Sequence, residues 1–323
     1  MAIELSLAAA QGSESAADSL ASFMAQRGYQ KIAVERDVAN QFLIKGKLNG
    51  VKSFFKVDTG ASATAIDVQR ATKLRRLGKE KDLRGAFGFV AKEVPLVAIQ
   101  SMQLDGVLVS NQMACVIDLH MDRQVYTGSR IPQSGPLSKA DVILGSDFLA
   151  ETQAFLDCGA PTLYVRSEKP SPQLSESMDQ SFKKSGWVCV PLEMYRGHLL
   201  VKGSVNTNET YFILDTGAAS TLFDLKQLDA FKFSLRERVA MSEDIGAHHT
   251  DLHFTRLSSL KLGDYEQKSF PVGIADLHGF GLQEPHILGL IGPDLLGQAR
   301  ALIDYCSQKL YLMPRTAPTT ERR

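Results

Sequence analysis

Phe54-Phe55-Lys56-Val57-Asp58-Thr59-Gly60-Ala61 and Tyr211-Phe212-Ile213-Leu214-Asp215-Thr216-Gly217-Ala218 are two versions of one phrase, a short apolar run followed by Asp-Thr-Gly-Ala. At average residue usage an Asp-Thr-Gly triplet arises by chance on the order of once in several thousand positions. Two copies in matching contexts within 323 residues therefore mark a duplication. The apolar run predicts a strand, and the glycine predicts a tight turn that presents the aspartate at the strand's end.

The repeat extends well beyond the motif. A shift of 157 residues (215 − 58) places Phe42-Leu43-Ile44-Lys45-Gly46 on Leu199-Leu200-Val201-Lys202-Gly203, Asn49 on Asn206, Thr64 on Thr221 and Asp67 on Asp224. A shift of 147 (292 − 145) places Ile143-Leu144-Gly145 on Leu290-Ile291-Gly292, and Leu163-Tyr164-Val165 on Leu310-Tyr311-Leu312. The second copy is thus ten residues shorter between its halves (157 − 147). One long period occurring twice predicts two homologous lobes rather than a solenoid. The expected division is an N-terminal segment 1–28 with an amphipathic helix over 13–27, a first lobe 29–166, a linker 167–185, a second lobe 186–316 and a tail 317–323. Paired strands are expected over 29–57 and 187–214, turning at Asn49-Gly50 and at 206–208. After each Asp-Thr-Gly the chain re-extends and then enters a helix capped by Asp67 or Asp224.

Composition is that of a globular chain, with 44% hydrophobic and 22% charged residues and a formal net charge of zero. Without basic or acidic excess, nothing points to nucleic acid or an anionic membrane surface. No apolar run reaches the ~18 residues of a membrane span. Residues 1–26 lack Lys and Arg, so the basic start of a secretory signal is missing and a cytoplasmic location is expected, with secretion left open. Cys115, Cys158, Cys189 and Cys306 are scattered, without metal or redox spacing, and read as small buried hydrophobes.

The motif's residue types suit one kind of chemistry. If the two turns meet, Asp58 and Asp215 cannot both ionise easily, and the pair holds one proton over a range of pH. The charged member can then take a proton from water while the protonated member donates to a carbonyl oxygen. Thr59 and Thr216 carry stiff side chains whose hydroxyls both donate and accept, suited to a bond across a seam.

The chain resembles the aspartic proteases of the pepsin and retropepsin superfamily. The likeness spans most of residues 29–316, through the first strand, Asp-Thr-Gly, the apolar-apolar-Gly step, the helix after it and the closing strand of each lobe. It implies a mostly β, bilobal acid-protease fold, with six- to seven-stranded lobes and short helices related by a pseudo-two-fold axis. By resemblance Asp58 and Asp215 are catalytic, Thr59 and Thr216 with Gly60 and Gly217 support the catalytic loops, and Ile143-Leu144-Gly145 and Leu290-Ile291-Gly292 pack against them. Ala61 and Ala218 stand where pepsin-like enzymes usually carry Ser or Thr, which pulls the likeness toward the retroviral branch and implies an optimum less acidic than pepsin's. Each lobe offers a substrate-binding flap, Gly85, Phe87 and Gly88 in the first and Gly246 and Ala247 in the second.

Other residues compete for a role. Asp67/Asp224, Asp147/Asp294 and Asp157/Asp304 also repeat, but none precedes Thr-Gly, and capping or surface roles are expected. His248, His249 and His253 lack a Cys or acidic cluster that would make them a metal site. The reading is a monomeric aspartic endopeptidase with a polypeptide substrate and neither metal nor cofactor. The alternative is a catalytically silent retropepsin-like module that binds a peptide or partner.

Overall fold

A computed structural model describes residues 13–37, 40–86, 90–119, 140–231, 240–243, 249–277 and 286–314. After α1 (Ser13–Ala25) the first half runs through β1 (Gln30–Ala33), β2 (Glu35–Arg36), β3 (Phe42–Leu48), β4 (Val51–Val57), β5 (Ala65–Asp67) and α2 (Val68–Ala71). It continues with β6 (Arg75–Arg84), β7 (Val90–Leu104), β8 (Val107–Ile117), β9 (Val142–Leu144), α3 (Ser146–Glu151), β10 (Phe155–Asp157) and β11 (Thr162–Val165). Beyond α4 (Pro172–Lys184) come β12 (Val188–Tyr195), β13 (His198–Val205), β14 (Asn208–Leu214) and β15 (Leu222–Asp224), then a 3-10 turn leading into α5 (Leu228–Phe231). The second half ends with β16 (Ala240–Glu243), β17 (His249–Leu262), β18 (Tyr265–Ala275), β19 (Ile287–Ile291), α6 (Pro293–Gln298), β20 (Leu302–Asp304) and β21 (Lys309–Leu312).

The two halves repeat one strand order. The first sheet runs β2-β3-β4-β9-β5-β8-β7-β6, and the second half runs β12-β13-β14-β19-β15-β18-β17-β16. In each, the strand before Asp-Thr-Gly pairs in parallel with the strand that ends in the apolar-apolar-Gly step. That neighbour is covered on its other side by the short strand following the motif. A parallel strand flanked on both sides must be apolar throughout, which is why Val142–Leu144 and Ile287–Ile291 are fully buried. The hairpin turn at Asn49-Gly50 has positive φ at both residues (46° and 84°), the backbone that Asn-Gly favours.

Among the described residues this repeated order has eight strands in each lobe, beyond the six or seven expected. The additional strand in the first lobe is β6, whose sequence Arg-Arg-Leu-Gly-Lys-Glu-Lys-Asp-Leu-Arg hides it. It pairs on one side only, with β7, and its mostly exposed side chains leave no apolar alternation to read.

The lobes are stitched by strands shared between them. The order β1-β11-β10-β20-β21-β12 runs continuously from the first lobe into the second. At its centre Leu156 pairs with Ile303, its own counterpart in the repeat. Strand β12 serves both sheets, pairing with β21 through Val188–Pro191 and with β13 through Leu192–Tyr195. In the first lobe that duty is split, β1 pairing with β11 and β2 with β3.

Two helices, α1 and α4, pack on this shared sheet. The α1 helix follows the expected 13–27 span, with Phe23 and Met24 buried and Gly28 in a left-handed turn (φ 80°). Residues 167–185, expected only as a linker, contain α4. Ser171 caps it through Leu174 N–H (3.2 Å), Pro172 opens it, and Leu174, Met178 and Phe182 form an apolar stripe at four-residue spacing. Three apolar positions in thirteen are easily lost among Ser, Glu and Lys, but they suffice to dock a helix. Phe182 meets Phe23, Phe155, Trp187 and Tyr311, with ring centroids 4.7–6.1 Å apart. No helix among the described residues is long and apolar enough to cross a membrane.

Candidate active site

Asp58 and Asp215 stand at the C-terminal ends of β4 and β14. Each donates its backbone N–H to the adjacent parallel strand, Asp58 to Leu144 O at 3.1 Å and Asp215 to Ile291 O at 3.0 Å. The chain then turns back on itself, and a backbone N–H from the loop reaches the carboxylate. Gly60 N–H donates to Asp58 Oδ1 (2.9 Å), while Gly217 and Ala218 N–H donate to Asp215 Oδ1 (2.8 and 3.0 Å).

The two loops interlock. A Cβ on Gly60 would stand closer than 3.0 Å to the Asp215 carboxyl carbon and both its oxygens, and a Cβ on Gly217 would do the same to Asp58. Each carboxylate thus lies over the glycine of the other lobe, and only glycine leaves room for it. Beneath them the threonines exchange bonds reciprocally. Thr59 N–H donates to Thr216 Oγ1 (3.1 Å) and Thr216 N–H donates to Thr59 Oγ1 (3.0 Å). The same hydroxyls donate onward to Leu214 O (2.7 Å) and Val57 O (2.8 Å). Both threonines are fully buried, so these bonds have no competition from water.

The surroundings of the pair are not symmetric. Lys56, on β4 and only 6% exposed, places Nζ 3.8 Å from Asp58 Oδ2 and donates to Gly217 O at 3.1 Å. Gln41 Nε2 donates to the same carbonyl. The carbonyl of Gly60, its counterpart, instead accepts Ala86 N–H from the chain beyond β6 (2.8 Å). Ile213 and His198 occupy the repeat positions of Lys56 and Gln41. Ser146 Oγ donates to Thr59 O (3.3 Å) and lies 3.4 Å from the buried Tyr305 hydroxyl, whereas Pro293 stands at the matching place in the second lobe.

Electrostatics follow from burial. Loss of water, and then the nearby Asp58 charge, push the Asp215 carboxyl up to about 7, against the pull of Lys56 and of two backbone N–H groups. Burial pushes the His198 imidazole down to about 4, outweighing the opposite influence of Asp58. The Tyr305 phenol is driven far above its ordinary value by burial, with Asp58 and Asp215 adding to the effect.

A family model described as aspartyl protease matches the chain twice, over residues 44–148 and 201–295. The chain belongs to the aspartyl protease family. The two matches fall one on each lobe, as the internal repeat requires. No curated protein matches the chain. Among solved structures, the fold is similar to an aspartic proteinase from Irpex lacteus, with 12% identity and a TM-score of 0.52 over 92% of this chain and 100% of the other. A retropepsin-like aspartic protease from Rickettsia conorii also matches, with 21% identity and a TM-score of 0.30 over 39% of this chain and 98% of the other. The family and the fold support aspartic peptidase activity in general terms.

The remaining candidates from the sequence separate cleanly. Asp147 Oδ1 accepts from Thr64 N–H and hydroxyl (2.7 and 2.8 Å), and Asp294 Oδ1 does the same for Thr221 (2.9 and 2.7 Å). Those threonine hydroxyls in turn accept Gly145 and Gly292 N–H, so the acids brace the loops from behind. Asp67 and Asp224 cap the helical turns that follow them, and Asp157 and Asp304 hold the turns after β10 and β20. All but the partly exposed Asp147 and Asp294 are buried, so the expected surface role gives way to an internal one.

Of the flap residues, Gly85 bridges to Ala61 beside the first loop. Phe87, Gly88, Gly246 and Ala247 lie outside the described residues. His248 lies outside them too, and no group of three or more metal-ligating side chains occurs among the described residues. All four cysteines are free thiols; Cys115 and Cys158 are buried as expected, whereas Cys189 and Cys306 are partly exposed. Lys56, Gln41, His198 and Ser146 had no signal in the sequence beyond their place in the repeat, where each breaks it.

Proposed function

We propose that the chain is an aspartic endopeptidase that hydrolyses peptide bonds with water activated by a shared-proton pair, Asp58 and Asp215, at the seam between the lobes. The observation that carries this reading is the reciprocal contact in which each carboxylate covers the other loop's glycine. Two buried carboxyl groups so placed hold one proton together across mildly acidic pH. Water lying between them gives a proton to the charged member as its oxygen bonds to the scissile carbonyl carbon. The protonated member gives its proton to the carbonyl oxygen. Collapse of the resulting diol breaks the C–N bond and returns a proton to the leaving nitrogen.

Both carboxylates come from one chain, which suits a monomer. The substrate would lie extended across the seam, its backbone bonded to the flaps. A cytoplasmic setting belongs to the same proposal, in keeping with four free thiols.

The test is incubation of the protein, Asp58→Asn and Asp215→Asn with unfolded polypeptide and a peptide library from pH 3 to 7. Cleavage by the unaltered protein that disappears in both variants is expected. Peptide binding without cleavage in all three would instead identify a silent binding module.

A further inference from the structure

Most of the buried polar residues at the seam have a counterpart in the repeat that does the same work. Lys56 does not. Its counterpart is Ile213, which is fully buried on β14 at the same distance from its own aspartate. An ammonium removed from water is costly unless it is paired, so a lysine kept 6% exposed on a central strand needs its partners. Two partners of its Nζ belong to the loops that carry the aspartates, one from each lobe: Asp58 Oδ2 at 3.8 Å and Gly217 O at 3.1 Å. Its backbone is fixed between Leu43 on β3 and Ile143 on β9, so its side chain emerges at one place only.

We propose that Lys56 is a positioning residue that breaks the equivalence of the two aspartates, holding the negative charge on Asp58 and therefore the shared proton on Asp215. This rests on the reading of the pair as a shared-proton dyad. Asp58 then accepts the proton from water, and Asp215 donates to the carbonyl oxygen. By also fixing Gly217 O, Lys56 ties the strand below one carboxylate to the loop below the other. A dyad made of two identical halves has no built-in preference of this kind, and the fusion of two diverged lobes in one chain supplies it.

Other groups also act on the pair. Asp215 receives two backbone N–H bonds against one for Asp58, which taken alone favours charge on Asp215. A full positive charge within 4 Å outweighs one additional N–H dipole. His198, on β13, acts on Asp58 but is neutral above about pH 4. Arg84, at the end of β6, bears on His198, and Tyr305, behind the loops, stays un-ionised.

The inference is tested by following the carboxyl carbons of 13C-labelled aspartate through a pH titration by NMR, with Asp58 and Asp215 assigned from their Asn variants. In the unaltered protein Asp58 should ionise first and Asp215 last. Lys56→Met should close or reverse the gap between the two ionisations, and Lys56→Arg should largely restore it. If Asp215 ionises before Asp58 in the unaltered protein, the inference is overturned, whether or not the Met variant folds. It also fails if Asp58 titrates identically with Lys and Met at position 56. Loss of the endopeptidase reading would look different: the Asn variants would cleave as well as the unaltered protein, or no cleavage would occur, while the order of ionisation stayed as stated.

Discussion

Removing one hydroxyl from the seam should cost more than its size suggests. In Thr216→Val the side chain keeps its shape and fully buried place, but the oxygen that joins Val57 O to Thr59 N–H is gone. Two backbone groups each lose that hydrogen bond in a dry interior. At about 1–3 kcal/mol for each buried polar group that loses its partner, the variant should lose roughly 2–6 kcal/mol of stability. Thr216→Ser removes a methyl group and keeps both bonds, so it should cost only about 1 kcal/mol. Urea unfolding followed by fluorescence of Trp187, which packs edge-on against Phe182 where the lobes are joined, reads the difference. The reciprocal pattern adds a second expectation: Thr59→Val and Thr216→Val should be non-additive, because each threonine's N–H donates to the other's hydroxyl. If the Val variant is no less stable than the Ser variant, the cross-lobe bonds do not hold the loops together and the argument fails.

The pH dependence of stability should carry two opposing slopes. The folded state of His198, at about 4, releases a proton that the unfolded chain keeps up to about 6.5, so His198 costs stability as pH falls through that window. His198→Gln should flatten this acid limb when thermal unfolding is compared at pH 4, 5 and 6.5. Asp215 works the other way: folded, it retains a proton to about 7 that the unfolded chain loses near 4, so its contribution falls as pH rises between those values. Asp215→Asn should accordingly gain on the unaltered protein across pH 4 to 7, at up to about 1.4 kcal/mol per pH unit, and a constant difference in unfolding free energy would contradict the raised carboxyl. Phe182→Ala, which empties the aromatic cluster between α1, α4 and the shared sheet, should cost about 3–5 kcal/mol in urea unfolding.

Features governed by neighbours in the chain could be read from the sequence. The Asn49-Gly50 turn, the Asp67 cap, the α1 stripe of Leu20, Phe23 and Met24, and the glycine behind each aspartate all depend on residues a few positions apart. The duplication carried the rest of the topology, because a pattern that occurs twice is legible where one occurrence is not. Strand β6 and helix α4 escaped for a physical reason. An edge strand exposed on both faces has no alternation, and a helix docked by three side chains has little composition to distinguish it from a linker.

By itself, the sequence determined that this protein is two diverged copies of one β unit, each ending a strand in an aspartate on a glycine turn. It also determined the family to which that pattern belongs. Only the tertiary structure decided what surrounds the pair. Gln41, and Lys56 in its bond to Gly217 O, look ordinary in the sequence because that carbonyl lies in the other lobe, as far as 176 positions away, and His198 likewise acts on Asp58 of the opposite lobe. Charge and hydrogen bonding act through space, and the chain order records only part of what folding brings within reach.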